Sequence, residues 1–182
     1  MADARLCSVP SPIGHVLGAM AAGWALSRPA STRRGLAVQA AVFAALGTAP
    51  DLDLLIGRHS QETHSLGAAL AVASIAAWRR WPIADTRLRI WLTACLVWMT
   101  HPVFDGLSVD KGPPIGVLMF WPFSQAFWHL GVDVFGAIER HWQHDGFFQQ
   151  NIRSVTREML ILVPVLAVVW WARWRRWKRL LN

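Results

Sequence analysis

The chain has 182 residues, of which 54% are hydrophobic and only 16% are charged. A soluble domain carries about 25% charged residues, so this composition indicates a membrane protein of one domain, residues 1–182. The net charge of +7 does not indicate a nucleic-acid-binding protein, because the basic residues lie between apolar segments and form no continuous face.

Five apolar segments predict five membrane-spanning helices. They lie at about 12–27, 36–50, 65–79, 89–105 and 156–173. Several are shorter than the roughly 20 residues that a straight span needs. The second and third segments are rich in alanine, which allows membrane helices to pack closely. The predicted fold is therefore an all-α, polytopic transmembrane bundle of about five spans.

The basic residues predict the orientation of these spans. Twelve of the 18 basic residues follow the first, third and fifth segments: Arg28, Arg33, Arg34, Arg79, Arg80, Arg87, Arg89, Arg173, Arg175, Arg176, Lys178 and Arg179. The positive-inside rule places these three regions in the cytoplasm. We therefore expect a multi-pass protein of a bacterial inner membrane, with its N-terminus outside and its C-terminus inside. All seven histidines then face the extracytoplasmic side.

Residues 113–145 predict an interfacial or re-entrant cap on that side. Three prolines are followed by an amphipathic piece from Gln125 to His144. On a helix, His129 and Asp133 would share one face, and Trp121 in WPFS could form an aromatic wall. These three residues are candidates for substrate binding. His129 and Asp133, together with Glu139, His141, His144 and Asp145, could also be extra metal ligands or form a substrate lid. The alternative is an interfacial amphipathic helix with a tryptophan anchor, and the roles of Glu139, His141 and His144 stay open.

Histidines and aspartates at the ends of four apolar segments predict a metal site. His101 and Asp105 are four residues apart, and their imidazole nitrogen and carboxylate oxygen can bind one divalent cation. A hydrogen-bonded or capping pair is the alternative for these two residues alone. The full candidate ligand set is His15, Asp51, Asp53, His59, His64, His101 and Asp105. So many ionisable groups near a membrane are costly unless paired or coordinated. We expect one or two Zn²⁺ ions, with Mn²⁺ as the alternative.

The motifs around these residues resemble a known family. SPIGH, PDLD, THSL and HPVFDG followed by WPFS are similar, over roughly residues 10–125, to the YdjM-like family of membrane-bound, predicted metal-dependent hydrolases. The family's usual His-Arg-Gly-x-Thr-His-Ser reads HSQETHS from His59 to Ser65, without the arginine and the glycine. The resemblance implies that the family's histidines and aspartates correspond to the seven candidate ligands. It also implies a distant kinship with zinc-dependent phospholipase C.

These observations predict a membrane-embedded hydrolase that cleaves a phosphoester of a membrane lipid with a metal-activated water. Asp53 or Glu62 would accept the proton of that water. The expected partners are the lipid substrate and the bilayer, with no nucleic acid. One alternative is a transporter or metal-binding carrier, although the polar residues lie at segment ends rather than at the midplane. The other alternative is a non-catalytic membrane scaffold with structural histidines.

Overall fold

The computed structural model describes residues 10–27, 29–57, 59–110 and 113–179, and this part of the chain is helical with no strands. Its α-helices are α1 (Pro12–Leu26), α2 (Arg33–Thr48), α3 (Leu66–Arg79), α4 (Arg87–Gly106) and α5 (Phe147–Arg179). Two 3₁₀ helices, Ala49–Ile56 and Glu62–His64, connect α2 to α3. Each predicted apolar segment is confirmed as a helix, and α5 begins well before the segment expected at 156–173. Arg28 lies outside the described residues.

Hydroxyl side chains define where four of the helices begin. The side chains of Ser11, Thr32, Ser65 and Thr86 each accept a hydrogen bond from the backbone N–H three residues later. An N-cap of this kind satisfies one of the N–H groups that the first helical turn leaves unpaired. The helix boundaries therefore follow from local chemistry as well as from hydropathy.

The five helices alternate in direction. Helices α1 and α5 run parallel, since Ser11 contacts Glu158 while the Trp24 carbonyl accepts a hydrogen bond from Arg173 at 2.7 Å. Helix α2 is antiparallel to α1, and α3 is antiparallel to α4. One end of the bundle thus collects the N-terminal ends of α1, α3 and α5 and the C-terminal ends of α2 and α4. The described residues of the three basic regions lie at the opposite end.

Small residues allow the helices to approach closely in the core. Ala19, Ala69, Ala73 and Ala94 are fully buried, each at 0% exposure. A side chain at Gly23 would collide with the Phe43 ring, which packs edge-on against Trp24. Close contacts between small side chains are typical of helix packing in membranes.

Two segments are long and apolar enough to cross a membrane, by length and composition: Arg33–Leu55 and Phe147–Arg175. Helices α1 and α3 are shorter apolar helices. Helix α5 also leaves large apolar side chains exposed, among them Leu160 at 72% and Val168 at 63%. Exposed apolar surface of this extent fits contact with lipid. The structure is thus a helical bundle with two candidate spans, and the five-span arrangement stays a prediction.

The connection between α4 and α5 (residues 107–146) differs from the expectation. The amphipathic helix that was the alternative to a cap from Gln125 to His144 is not formed. The described residues instead adopt turns and irregular backbone with two isolated bridges, Ser108–Phe135 and Val117–Trp128. Gly116 and Gly131 have φ values of 92° and 71°, which a right-handed helix excludes. The connection covers the end of the bundle, since the Leu66 N–H donates to the Met119 carbonyl at 2.8 Å.

Candidate metal centre

Four buried side chains meet where the ends of α1, α2, α3 and α4 come together. His15, His64 and His101 are each 0% exposed, and Asp105 is 3% exposed. His15 lies in the first turn of α1, and His101 and Asp105 lie in the last turns of α4. His64 ends the second 3₁₀ helix, which leads into α3. Asp51 and Asp53 join them from the first 3₁₀ helix.

His101 has one nitrogen fixed by the backbone of α2. Its Nδ1 lies 2.7 Å from the carbonyl oxygen of Gly47. A carbonyl oxygen only accepts hydrogen bonds, so Nδ1 carries the proton. In the neutral ring, the lone pair then lies on Nε2, which faces Asp51 and Asp105 at 3.5 and 3.3 Å.

His64 is oriented in the same way by a carboxylate. Its Nδ1 lies 3.1 Å from Asp53 Oδ2, and the Thr63 hydroxyl donates to the same oxygen at 2.6 Å. The Thr63 carbonyl is in turn held by the indole N–H of Trp98 at 2.9 Å. A carboxylate on the outer nitrogen of a metal-binding histidine fixes its tautomer and raises its basicity. Asp53 therefore acts here on His64, whose Nε2 faces the centre.

Four potential ligand atoms lie close together: His64 Nε2, His101 Nε2, Asp51 Oδ1 and Asp105 Oδ2. The two histidine nitrogens are 3.1 Å apart, and each lies 3.3 Å from Asp105 Oδ2. Asp51 Oδ1 is 3.5 Å from His101 Nε2 and 3.8 Å from His64 Nε2. In a tetrahedral zinc site with bonds of about 2.0–2.1 Å, ligand atoms are about 3.3 Å apart.

Three carboxylate oxygens of this group lack hydrogen-bond donors among the described residues. Asp51 Oδ1 and both carboxylate oxygens of Asp105 are buried without a hydrogen-bond partner there. Burying unpaired acceptors and charges is costly. If both rings are neutral and carry their protons on Nδ1, the two Nε2 lone pairs, 3.1 Å apart, would repel each other. A divalent cation at this point would satisfy all four atoms, so the donor set fits the predicted metal.

Two further histidines extend the group on either side. The His15 ring stacks on His101 at a centroid distance of 3.7 Å, and its Nε2 lies 3.3 Å from Asp105 Oδ1. His59 is on the outer side, with its Nδ1 3.3 Å from Asp53 Oδ1 and 3.7 Å from Asp51 Oδ1. The ligand atoms of His15, His101 and Asp105 lie within 4.8 Å of one another, as do those of Asp51, His59 and His64. The arrangement can therefore hold one ion or two.

Glu62 and Trp121, two other predicted site residues, lie outside the group of candidate ligands. Glu62 begins the second 3₁₀ helix, is half-buried and belongs to neither ligand group. Trp121 packs on the first turn of α3, where a side chain at Gly67 would lie 2.8 Å from the indole ring. Trp121 thus lies beside the turn that carries His64, which is compatible with the predicted role near the substrate.

His129 and Asp133 do not form the predicted pair on a helix face. His129 Nε2 lies 2.8 Å from the Ser108 carbonyl, and its Nδ1 accepts the Gly131 N–H at 3.1 Å. Both ring nitrogens thus bind backbone atoms of the connection. Asp133 is exposed, and its carbonyl accepts a hydrogen bond from Arg157 at 2.6 Å. These contacts favour a structural role for His129, and substrate binding by the two residues stays a prediction.

Sequence reasoning missed Glu158, a fully buried carboxylate on α5. It accepts hydrogen bonds from the Ser11 N–H at 2.7 Å and from the Ser11 hydroxyl. A side chain at Gly14 would lie 2.7 Å from its Oε2. Glu158 thereby holds the N-terminus of α1 directly before His15. Its signal in the sequence was a single acid at the start of the apolar segment 156–173, a position where acids mark specific interactions.

Comparison with known proteins identifies the family to which the chain belongs. No curated protein and no solved structure is significantly similar to the chain. The family model described as YdjM inner membrane protein matches residues 11–179, which includes every candidate ligand and all five helices. The chain therefore belongs to the YdjM inner membrane protein family.

Proposed function

We propose that this protein is a membrane-bound, metal-dependent hydrolase that cleaves a phosphoester of a membrane lipid. The observation that carries the proposal is the group formed by His64 Nε2, His101 Nε2, Asp51 Oδ1 and Asp105 Oδ2, in which the two nitrogens lie 3.1 Å apart and 3.3–3.8 Å from the two carboxylate oxygens. Their histidines are oriented through the outer nitrogens, as in metalloproteins. Zinc suits this mixture of imidazole and carboxylate ligands, and Mn²⁺ tolerates it.

A divalent cation held by these residues would polarise a phosphoryl oxygen and lower the pKa of a bound water. The protein's own groups would orient the reactants. His64 and His101 are held by Asp53 and by the Gly47 carbonyl, so their positions are fixed before substrate binds. Asp53 and Glu62 remain the carboxylates proposed to accept the proton, and the contacts of Asp53 favour a positioning role for it.

Apolar side chains beside the centre support a lipid substrate. In the first 3₁₀ helix, Asp53 is buried while Leu52 and Leu55 are 63% and 83% exposed. Phe123, close in sequence to Trp121, is 77% exposed. A charged head group could reach the buried ligands while its acyl chains contact these side chains. A soluble phosphoester would gain nothing from this apolar rim.

We further propose that all five helices span the inner membrane, with the metal centre on the extracytoplasmic side. The alternation of helix direction supports this topology, because it separates the histidine-rich end from the basic end. The positive-inside rule then gives the orientation. Helices α1 and α3 are short for a span. Local thinning of the bilayer around the bundle would allow them to cross it.

The first test is metal content and lipid hydrolysis of detergent-purified protein, for the wild type and for His101→Ala. The proposal expects one or two equivalents of zinc or manganese, and metal-dependent release of phosphate or of a phosphorylated head group from phospholipid vesicles. Both should be lost in the variant. Protein that binds metal but cleaves no lipid phosphoester would refute the hydrolase and favour a carrier. Protein that binds no metal after reloading would favour a scaffold.

A further inference from the structure

A second cluster of metal-ligand side chains lies in the α4–α5 connection, apart from the centre described above. Glu139, His141 and His144 each offer a ligand atom within 4.8 Å of the others. All three belong to one short stretch before α5. None is among the ligands that the family resemblance implies.

The spacing of this cluster is compatible with ligands around one ion. His141 Nδ1 lies 3.2 Å from Glu139 Oε1, and His144 Nδ1 lies 3.0 Å from Glu139 Oε2. The two rings face each other at a centroid distance of 5.2 Å with an interplanar angle of 34°. The two distances between histidine Nδ1 and Glu139 oxygen are close to the roughly 3.3 Å between ligand atoms of a tetrahedral zinc site.

The carboxylate is held in place independently of the two rings. Its Oε1 accepts the backbone N–H of His141 at 2.8 Å. The backbone of Glu139 is fixed to α5, because its N–H donates to Asn151 Oδ1 at 2.8 Å and its carbonyl accepts from Asn151 Nδ2 at 3.0 Å. The bond from the His141 N–H, followed by the contact with His144, keeps the pKa of the Glu139 carboxyl at about 2. Glu139 is therefore a preoriented anionic ligand at neutral pH.

The two histidines are accessible, unlike those of the central site. Glu139 is buried, whereas the His141 and His144 side chains are 49% and 44% exposed. Water can thus fill the remaining coordination positions. A neutral ring that binds a metal through Nδ1 carries its proton on Nε2, which here can lie at the surface.

We propose that Glu139, His141 and His144 form a second divalent-cation site of the zinc class, which ties the connection to the start of α5. The nitrogen-and-carboxylate ligand set favours zinc over calcium or magnesium, which take oxygen ligands. Because this site is open, its metal exchanges with chelators faster than metal held by the buried histidines of the centre. The proposal does not depend on any catalytic activity of the protein.

The test counts zinc in full-length protein carrying a purification tag without histidines, after dialysis against Zn²⁺. The compared proteins are the wild type, Glu139→Gln, His141→Gln/His144→Gln and the control Gln143→Ala, which alters an exposed side chain of the same turn. We expect both ligand variants to bind one equivalent less than the wild type, and Gln143→Ala to bind the same amount. Equal zinc in all four proteins would overturn the proposal.

A second measurement keeps the test independent of the central site and of folding defects in the variants. Wild-type protein, stripped of metal, is modified with diethyl pyrocarbonate with and without added Zn²⁺, and each histidine is followed by mass spectrometry. Zinc should slow modification of His141 and His144, while His129, whose ring binds backbone atoms, keeps its rate. Unchanged rates at His141 and His144 would overturn the site, whatever happens at the centre.

Discussion

His101 Nδ1 lies 2.7 Å from the carbonyl oxygen of Gly47, so a ring on α4 is oriented by the backbone of α2. The contact requires α2 and α4 to approach each other closely. Helix α1 also packs closely against α2 at this point. A side chain at Gly47 would lie 2.9 Å from the His15 carbonyl and would collide with Ala19. The absence of a side chain at Gly47 thus sets the spacing on which the geometry of the metal centre depends.

Gly47→Ala should therefore separate α1 from α2 and weaken the His101 contact. Overpacking of a tight core costs about 1–3 kcal/mol, and we expect a lower unfolding temperature together with loss of bound metal. Thermal unfolding in detergent and elemental analysis would measure the two effects. Ala41→Ser, at an exposed position of α2, is the control and should change neither. Full metal occupancy in Gly47→Ala would contradict the proposed role of this spacing.

Asp53 and Asp51 should differ in how strongly they affect metal binding. Asp53 contacts the outer nitrogen of His64, whereas Asp51 Oδ1 faces the inner nitrogens of His64 and His101. Loss of an outer contact typically lowers metal affinity about 10–100-fold. We expect Asp53→Asn to bind zinc more weakly by roughly this factor, and Asp51→Asn to lose stoichiometric binding. Titration against a chelator of known affinity measures both constants, and equal losses would contradict this division of roles.

The same variants separate positioning from proton transfer. If Asp53 only positions His64, lipid hydrolysis by Asp53→Asn should recover when zinc is in excess. Glu62→Gln, which leaves both ligand groups intact, should then lower the rate at full occupancy, because Glu62 is the remaining proposed proton acceptor. The measurement is the initial rate at saturating zinc. No recovery in Asp53→Asn, with full activity in Glu62→Gln, would assign the proton to Asp53.

The helices and most of the candidate metal centre could be predicted because their signals are local. Apolar runs with Ser or Thr before them mark α1 to α4, and basic linkers reveal which helix ends share a side. His15, His64 and His101 could therefore be grouped before any contact was known. The Gly47 carbonyl could not be predicted, since a backbone acceptor has no side-chain signature.

The connection was predicted less well because its sequence pattern misleads. Residues 125–144 show an apolar and a polar face at helical spacing, yet Gly131 adopts positive φ and the segment is mostly irregular backbone. The partners that decide its conformation, such as Ser108 for His129, are distant in the sequence. The same holds for Glu158, whose partner Ser11 is 147 residues away.

Glu158 should contribute strongly to stability through its contact with the start of α1. Hydrogen bonds to charged groups contribute about 1.5–3 kcal/mol each, and removal of the carboxylate leaves the buried Ser11 N–H unpaired. We expect Glu158→Ala to lower the unfolding temperature by roughly 5 °C or more. Met159→Ala, at a 46% exposed neighbour on α5, should change it little. Similar unfolding temperatures for the two variants would contradict this role.

The proposed orientation can be tested with two single cysteines in a chain whose own Cys7 and Cys95 are replaced by serine. Ser31→Cys lies in the linker before α2, and Gln143→Cys lies in the α4–α5 connection; both positions are exposed. If the basic end faces the cytoplasm, a membrane-impermeant maleimide added to intact cells should label Gln143→Cys and spare Ser31→Cys. Permeabilised cells should show both labelled, as the control for reactivity.

Labelling of Ser31→Cys alone would reverse the orientation and place the metal centre on the cytoplasmic side. Labelling of both in intact cells would contradict an odd number of spans between these two positions.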